Sequence, residues 1–478
     1  MHKYALSVVP LIMALAGCAV GPDYQEPETP LPERFVGADQ VRPFDENAER
    51  RFWSGFDDPL LADLIDQALN ANHDLRAALA RYQRAEALLR GARREQLPSV
   101  TVNGSAAEQH LAEVEQSPPG GAERVELYQA GVAAGWELDL FGRLRRATQA
   151  QAAELDAAEA DLGALQVAMA GRIANSYFQL RGLQQQLQVA RRNVENQQQA
   201  LDIVQARMED GNATRLDEAR ARAQLDAVRA TVPQLQTAIR TYMYRIAVLT
   251  GRTPDSLVTT LAKPGDLPAQ VPDLATGTPS GVLRRRPDIR AAERRVAAAT
   301  ARIGVATADL FPRFTLEGLI GSVASRDGDL FSGPAESRRI ALGVDWTFLD
   351  FGKVRSRIDA ADAETQAVIA EYQQTVLTAL EETETQLVRH QRARERTELL
   401  RHATDAAQQA AELARLRYRE GFIGFFEVLD SERELMDTRD AFIRSRTEVT
   451  LAMVDLYRAL AGAPVPPEQD PARRSAAR

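Results

Sequence analysis

The sequence predicts a mainly helical protein with a small β part, and three observations carry that prediction. Two proline-free runs, Arg143 to Met208 and Lys353 to Glu420, would each make a helix of roughly 100 Å at 1.5 Å per residue. Four other segments alternate apolar with small or polar residues at the two-residue period of a strand. The chain also repeats itself: Trp136-Glu137-Leu138-Asp139-Leu140-Phe141-Gly142-Arg143 answers to Trp346-Thr347-Phe348-Leu349-Asp350-Phe351-Gly352-Lys353, 210 positions on. Arg207-Met208-Glu209-Asp210-Gly211 matches Arg417-Tyr418-Arg419-Glu420-Gly421 at the same offset, and Leu249-Thr250-Gly251 is echoed by Leu460-Ala461-Gly462. A period this long describes two structural halves of one molecule rather than a solenoid unit.

The bulk numbers agree with long, closely packed helices. Of 478 residues 45% are hydrophobic but only 6% aromatic, and the middle is rich in Ala, Gln, Glu and Arg. A net charge of −9 argues against a nucleic-acid partner, because a phosphate backbone calls for a basic surface. One cysteine excludes an internal disulfide and any multi-cysteine metal site. There is no Gly-rich phosphate loop and no His-Glu-x-x-His, and the five histidines are scattered, so the residues give no sign of an enzyme.

Taken in order, residues 1–17 read as a lipoprotein signal peptide: a basic start, an apolar stretch too short to span a bilayer, and small residues before Cys18. Leu15-Ala16-Gly17-Cys18 resembles the bacterial lipobox, which implies a covalent lipid on Cys18. Ala19 follows where an Asp would favour retention in the inner membrane, so the expected location is the outer membrane. Residues 18–59 are Pro-rich and extended in character. Residues 60–251 form the first repeat, 252–278 a Pro/Gly-rich linker, 279–462 the second repeat, and 463–478 a flexible tail. Each half is expected to hold a helix of about 30 residues (from Leu60, and from about Pro287), two strands, a very long helix, a Gly turn and a returning helix. Ile173, Leu180, Leu187, Val194, Leu201 and Met208 recur every seven residues, a coiled-coil seam. Pro233 predicts a kink or break in the first returning helix. After Cys18 no apolar run is long enough for a membrane-spanning helix.

The alternating segments place Tyr128, Ala130, Val132, Ala134, Trp136, Leu138 and Leu140 on one face, and Ile340, Leu342, Val344, Trp346 and Phe348 on one face of the fourth segment. Val100 with Val102 and Phe314 with Leu316 start the other two. The pattern fits an outer-membrane barrel with its apolar face outward; alternation alone fits a half-buried sheet in a soluble domain equally well. Four strands cannot close, and lipid tolerates no open edge, so a spanning sheet has to be shared between chains. Three chains give twelve strands and room for a lumen.

With these motifs in place the sequence resembles the TolC family, in particular its lipid-anchored OprM/NodT branch, which serves resistance-nodulation-division pumps. The resemblance runs from Leu15-Ala16-Gly17-Cys18-Ala19-Val20-Gly21-Pro22-Asp23-Tyr24 to Leu460-Ala461-Gly462. It includes Leu60-Leu61-Ala62-Asp63-Leu64-Ile65, Asn72-His73-Asp74-Leu75 and Arg285-Arg286-Pro287-Asp288-Ile289-Arg290-Ala291-Ala292-Glu293. It implies a homotrimer with a shared twelve-stranded outer-membrane β-barrel, four strands per chain, continued by a long periplasmic coiled-coil barrel. Its implied partners are outer-membrane lipid, a periplasmic adaptor protein and an inner-membrane pump; no cofactor is implied beyond the lipid on Cys18, and no metal. Glu427 and Asp430 match the family's acidic constriction, and Asp217 and Tyr418 match two positions of its gate latch. Ile423 stands where some members carry a latch Arg. Gly211, Asn212, Gly421 and Phe422 match the adaptor-docking tips. The expected function is the passive exit duct of a tripartite efflux pump. A protein-secretion duct and a non-pore envelope scaffold are the alternatives.

Overall fold

A computed structural model of the chain describes residues 19–37, 52–112, 114, 123–268, 270–272 and 277–460. Cys18, the signal peptide and the tail lie outside the described residues. The element order is α1 (Pro59–Ala71), α2 (His73–Glu95), β1 (Ser99–His110), β2 (Arg124–Leu138), α3 (Arg143–Glu209), α4 (Arg215–Leu249) and α5 (Val258–Leu261). Then come α6 (Pro279–Arg285), α7 (Pro287–Ala308), β3 (Arg313–Ala324), β4 (Glu336–Asp345), α8 (Phe351–Arg419) and α9 (Phe425–Ala459). The described residues fold as two compact units, one within 19–28, 81–159 and 291–373, the other within 29–80, 160–290 and 374–460. Each draws on both sequence repeats.

The first unit holds the sheet. Its strands run in the order β1-β2-β3-β4, all antiparallel. β4 begins earlier than the alternation suggests and ends at Asp345. Trp346 and Phe348 therefore lie beyond the ladder: the chain turns there, Trp346 donates its indole N–H to the Leu310 carbonyl at 3.1 Å, and the two rings pack 4.9 Å apart. Trp136 makes the matching bond to the Gln96 carbonyl at 3.0 Å. Residues 19–24 lie along this unit. Arg146, buried, donates to the carbonyls of Val20 and Gly21 and to Asp23 at 3.1, 3.3 and 2.8 Å. Gly21 has a φ of 89° and crosses Gly304 so closely that a Cβ would sit 2.4 Å from the Gly304 Cα, so only glycine fits.

The second unit holds the main core. α1 starts at Asp58, whose carboxylate accepts the N–H groups of Leu60 and Leu61 at 3.0 and 3.1 Å, with Pro59 at the first helical position. The same carboxylate accepts the Tyr177 hydroxyl at 2.5 Å, and burial followed by this bond pushes the phenol well above its ordinary pKa. Phe52 stacks on Tyr457 at 4.4 Å, and Leu61, Ile173, Leu180 and Ile246 are fully buried beside them. The heptad seam is thus a packed one. Leu257, Leu261 and Leu267 are buried in the same core, so residues 257–267 are an integral part of it.

Two expectations are corrected here. The first helix is not continuous: it breaks at Asn72, which takes an extended ψ of 133°. Arg286 breaks the second repeat at the corresponding place, held out of helical geometry by Pro287. The two residues do equivalent work, because Asn72 donates to the Leu249 carbonyl at 2.9 Å and Arg286 to the Ala459 carbonyl at 3.0 Å. Each break thus supplies a donor to a carbonyl that the end of its own returning helix leaves without one. Conversely, of the kink or break expected at Pro233, the break does not occur: α4 runs through that residue. That proline is exposed, so water can satisfy the carbonyl that loses its partner.

Candidate functional site at the hairpin tips and the sheet face

α3 with α4, and α8 with α9, form two helical hairpins in the second unit. Both turn by the same device. Asn212 N–H bonds to the Arg207 carbonyl at 2.7 Å and Gly211 N–H to Met208 at 3.1 Å; Phe422 bonds to Arg417 at 2.9 Å and Gly421 to Tyr418 at 3.0 Å. This paired closure needs a residue of positive φ, which Gly211 and Gly421 supply at 76° and 79°. Gly211, Asn212, Gly421 and Phe422 are all exposed, Phe422 to 74% despite its apolar ring.

Beneath the turns the four helices share one apolar cluster: Leu201 and Val204, Ala221 and Leu225, Ala414 and Tyr418, Phe425 and Val428. Tyr418 is buried in it, its ring 5.6 Å from Phe425 and covered by the Arg207 guanidinium at 4.2 Å. Asp217 does not meet Tyr418. Its carboxylate closes a capping box at the start of α4, accepting the Thr214 N–H at 2.9 Å and hydroxyl at 2.7 Å. These bonds hold its carboxyl below the ordinary aspartate pKa. Glu427 and Asp430 sit in the first two turns of α9, both exposed and one turn apart on one side of the helix. Ile423 packs against the apolar cluster.

Three residues that sequence reasoning missed stand in the same place. Arg207 and Arg220 each face an aromatic ring of the other hairpin, Tyr418 and Phe426, the second at 5.6 Å. Glu432 occupies a buried seam position between Val428 and Leu435, where Arg415 donates to it. Glu432 was legible in principle, as a charge on the apolar spacing Phe425, Val428, Leu435.

The sheet in the first unit has one apolar face. Its register lines up Phe314, Leu138 and Val344; Leu316, Trp136 and Leu342; Val100, Ala134, Gly318 and Ile340; and Val102, Val132 and Ile320, the last row ending on β4 in Arg338. Most of these side chains are exposed, among them Val102, Ile320, Ile340 and Leu342 at 81, 64, 87 and 63%. The opposite face is more polar, carrying Thr101, Asn103, Gln129, Glu137, Thr315, Glu317 and Arg339 among small residues, with Leu127, Leu319 and Val323. Toward the far ends of β1 and β2 the apolar face gives way to charge, where Arg124 pairs with Glu108 at 3.1 Å. β1 and β4 are open edges. No helix among the described residues is long and apolar enough to cross a membrane, and no group of carboxylates, histidines or cysteines there is arranged to hold a metal.

Comparison with known proteins places this architecture. The model of the outer membrane efflux protein family matches residues 64–252 and 278–462. Nodulation protein T of Rhizobium leguminosarum bv. trifolii is 30% identical over 450 residues, 91% of this chain and 92% of that protein. Outer membrane protein OprJ of Pseudomonas aeruginosa is 30% identical over 466 residues, 97% of each. The outer-membrane channel OprN superposes with a TM-score of 0.88 at 40% identity, over 94% of this chain and all of that one. The open state of the Neisseria gonorrhoeae MtrE channel superposes at 0.82 and 26%, over 94% and 99%. A four-stranded sheet with a bare, largely apolar face, two long helical hairpins sharing an apolar cluster and a sequence matched along both repeats together show that the chain belongs to the outer membrane efflux protein family, as an outer-membrane channel of the TolC type.

Proposed function

We propose that three copies of the chain assemble into one duct that passively conducts substrates outward from a tripartite efflux pump. The observation that carries this reading is the sheet: one face of exposed apolar side chains, a more polar opposite face, and two unpaired edges. Lipid satisfies the first, a water-filled lumen the second, and only neighbouring copies the third. Cys18 carries the acyl anchor, which supplements the shared barrel. The tips around Gly211, Asn212, Gly421 and Phe422 dock a periplasmic adaptor, which links the duct to an inner-membrane pump of the resistance-nodulation-division type. Glu427 and Asp430, repeated three times about the axis, ring the closed mouth and favour cations.

Two experiments test this. Metabolic labelling with a fatty acid should mark the wild type and not Cys18→Ala; equal labelling contradicts the anchor. In planar bilayers the purified trimer should conduct weakly, select for cations and be blocked by divalent cations added at the mouth. Glu427→Ala with Asp430→Ala should weaken both properties while assembly persists. Unchanged selectivity and block in that variant contradict the acidic constriction.

A further inference from the structure

We propose that Arg207 and Arg220 are the residues that lock the two hairpins of one protomer together in the closed mouth, by stacking on aromatic rings rather than by hydrogen bonds. The inference rests on the reading of the tips as a gate.

The two contact types at the tip differ in how easily they separate. Within the second hairpin, Arg415 on α8 donates to Glu432 on α9, and Glu432 is only 6% exposed. Parting these helices would strand a buried carboxylate without its cation, so α8 and α9 stay in fixed register and move as one body. Between the hairpins the polar links have another character. Arg207 of α3 lies over Tyr418 of α8 at 4.2 Å, and Arg220 of α4 over Phe426 of α9 at 5.6 Å. A guanidinium over a ring is held by a broad quadrupole field, so it can slide, leave and return without leaving a buried partner unsatisfied. Arg207 is half-buried and Arg220 exposed, so both are reached by water when they part.

The two repeats are not symmetric here. The counterparts of Tyr418 and Phe426 are Met208 and Leu216, and that of Arg220 is Asp430. Arg207 does have a counterpart, Arg417, but with no ring at Met208 or Leu216, the cations stacked between hairpins among the described residues sit on the first hairpin and their rings on the second. The Asp217 carboxylate, the latch partner that the resemblance implied for Tyr418, is held by Thr214 instead. The lock thus falls on the seam between hairpins, and a mouth that opens does so by carrying α8 and α9 together away from Arg207 and Arg220.

The test is the conductance of the purified trimer in planar bilayers. Arg207→Met with Arg220→Met, which keep length and remove charge, should raise the open fraction about five- to thirtyfold, since each exposed cation–π contact is worth about two- to fivefold and two are lost per protomer. Tyr418→Leu should raise it too, and adding Arg207→Met to it should change little further. Arg207→Lys should fall between wild type and Arg207→Met, and Tyr418→Trp should restore low conductance in the Arg207→Lys background; this pair carries the test if the methionine variants do not assemble. Wild-type conductance in the double methionine variant, full additivity with Tyr418→Leu, or no rescue by Trp overturns the lock. If Glu427→Ala with Asp430→Ala changes selectivity while the arginine variants leave conductance alone, only the lock fails. If neither set changes anything in an inserted trimer, the mouth is not at the tips and the gate reading falls with it.

Discussion

At the scale of single residues, the fold depends on polar groups that repair helix ends. Asn72 is buried, with its amide N–H on the Leu249 carbonyl and its oxygen accepting from Asp74 and Leu75. Asn72→Leu keeps the volume but leaves those groups unpaired, which should cost about 1–3 kcal/mol, read as a lower midpoint of thermal unfolding. Thr214 and Asp217 cap α4 reciprocally, and Thr214→Ala should cost about 0.5–2 kcal/mol locally, read as faster hydrogen exchange in the first turn of α4. The same cap is sensitive to acid. The folded carboxyl of Asp217 titrates below the unfolded one, so its stabilisation is complete above the ordinary carboxylate range and is lost as pH falls through the folded value. Exchange at the start of α4, corrected for the intrinsic rate, should therefore rise on acidification in the wild type and much less in Asp217→Asn.

At the scale of elements, periodicity explains what the sequence shows and what it hides. The heptad through Ile173, Leu180 and Leu201 and the alternation in β2 are local repeats, and each became a buried seam or a one-sided sheet. The turn glycines were legible for the same reason, since a hairpin of this tightness admits little else. Gly421→Ala should cost about 1–2 kcal/mol at the second tip, because its φ of 79° strains any residue with a Cβ. The break at Asn72 was hidden because the apolar spacing continues across it, and the partner that fixes it, Leu249, lies far along the chain. Pro233 does not end its helix, because its position is exposed and tolerates a missing bond. Arg207 over Tyr418 has no periodic signature at all: it joins helices from different repeats, and only their packing brings the two together. For the sheet, Val132→Asp or Val344→Asp on the apolar face should cost on the order of 1–4 kcal/mol in lipid and depress insertion. If those variants insert normally while Glu137→Val fails, the faces are reversed.

At the scale of the whole molecule, the parts make sense only as a fraction of something larger. A single chain presents valines, leucines and isoleucines to the outside over much of one face of its sheet, and ends that sheet on two strands with unmade hydrogen bonds. Either feature alone would promote aggregation in water. Both are resolved when copies join edge to edge within lipid, and the family to which the chain belongs consists of outer-membrane channels. The alternation had left a half-buried soluble sheet open; what argues against it is that among the described residues no other element covers most of the apolar face, which residue order could not reveal. The most direct test is native mass spectrometry of the full-length protein extracted from outer membranes in mild detergent. The account predicts one species of three chains, which dissociates on heating with loss of its barrel strands. A stable single chain that retains its strands and dissolves without detergent would contradict it.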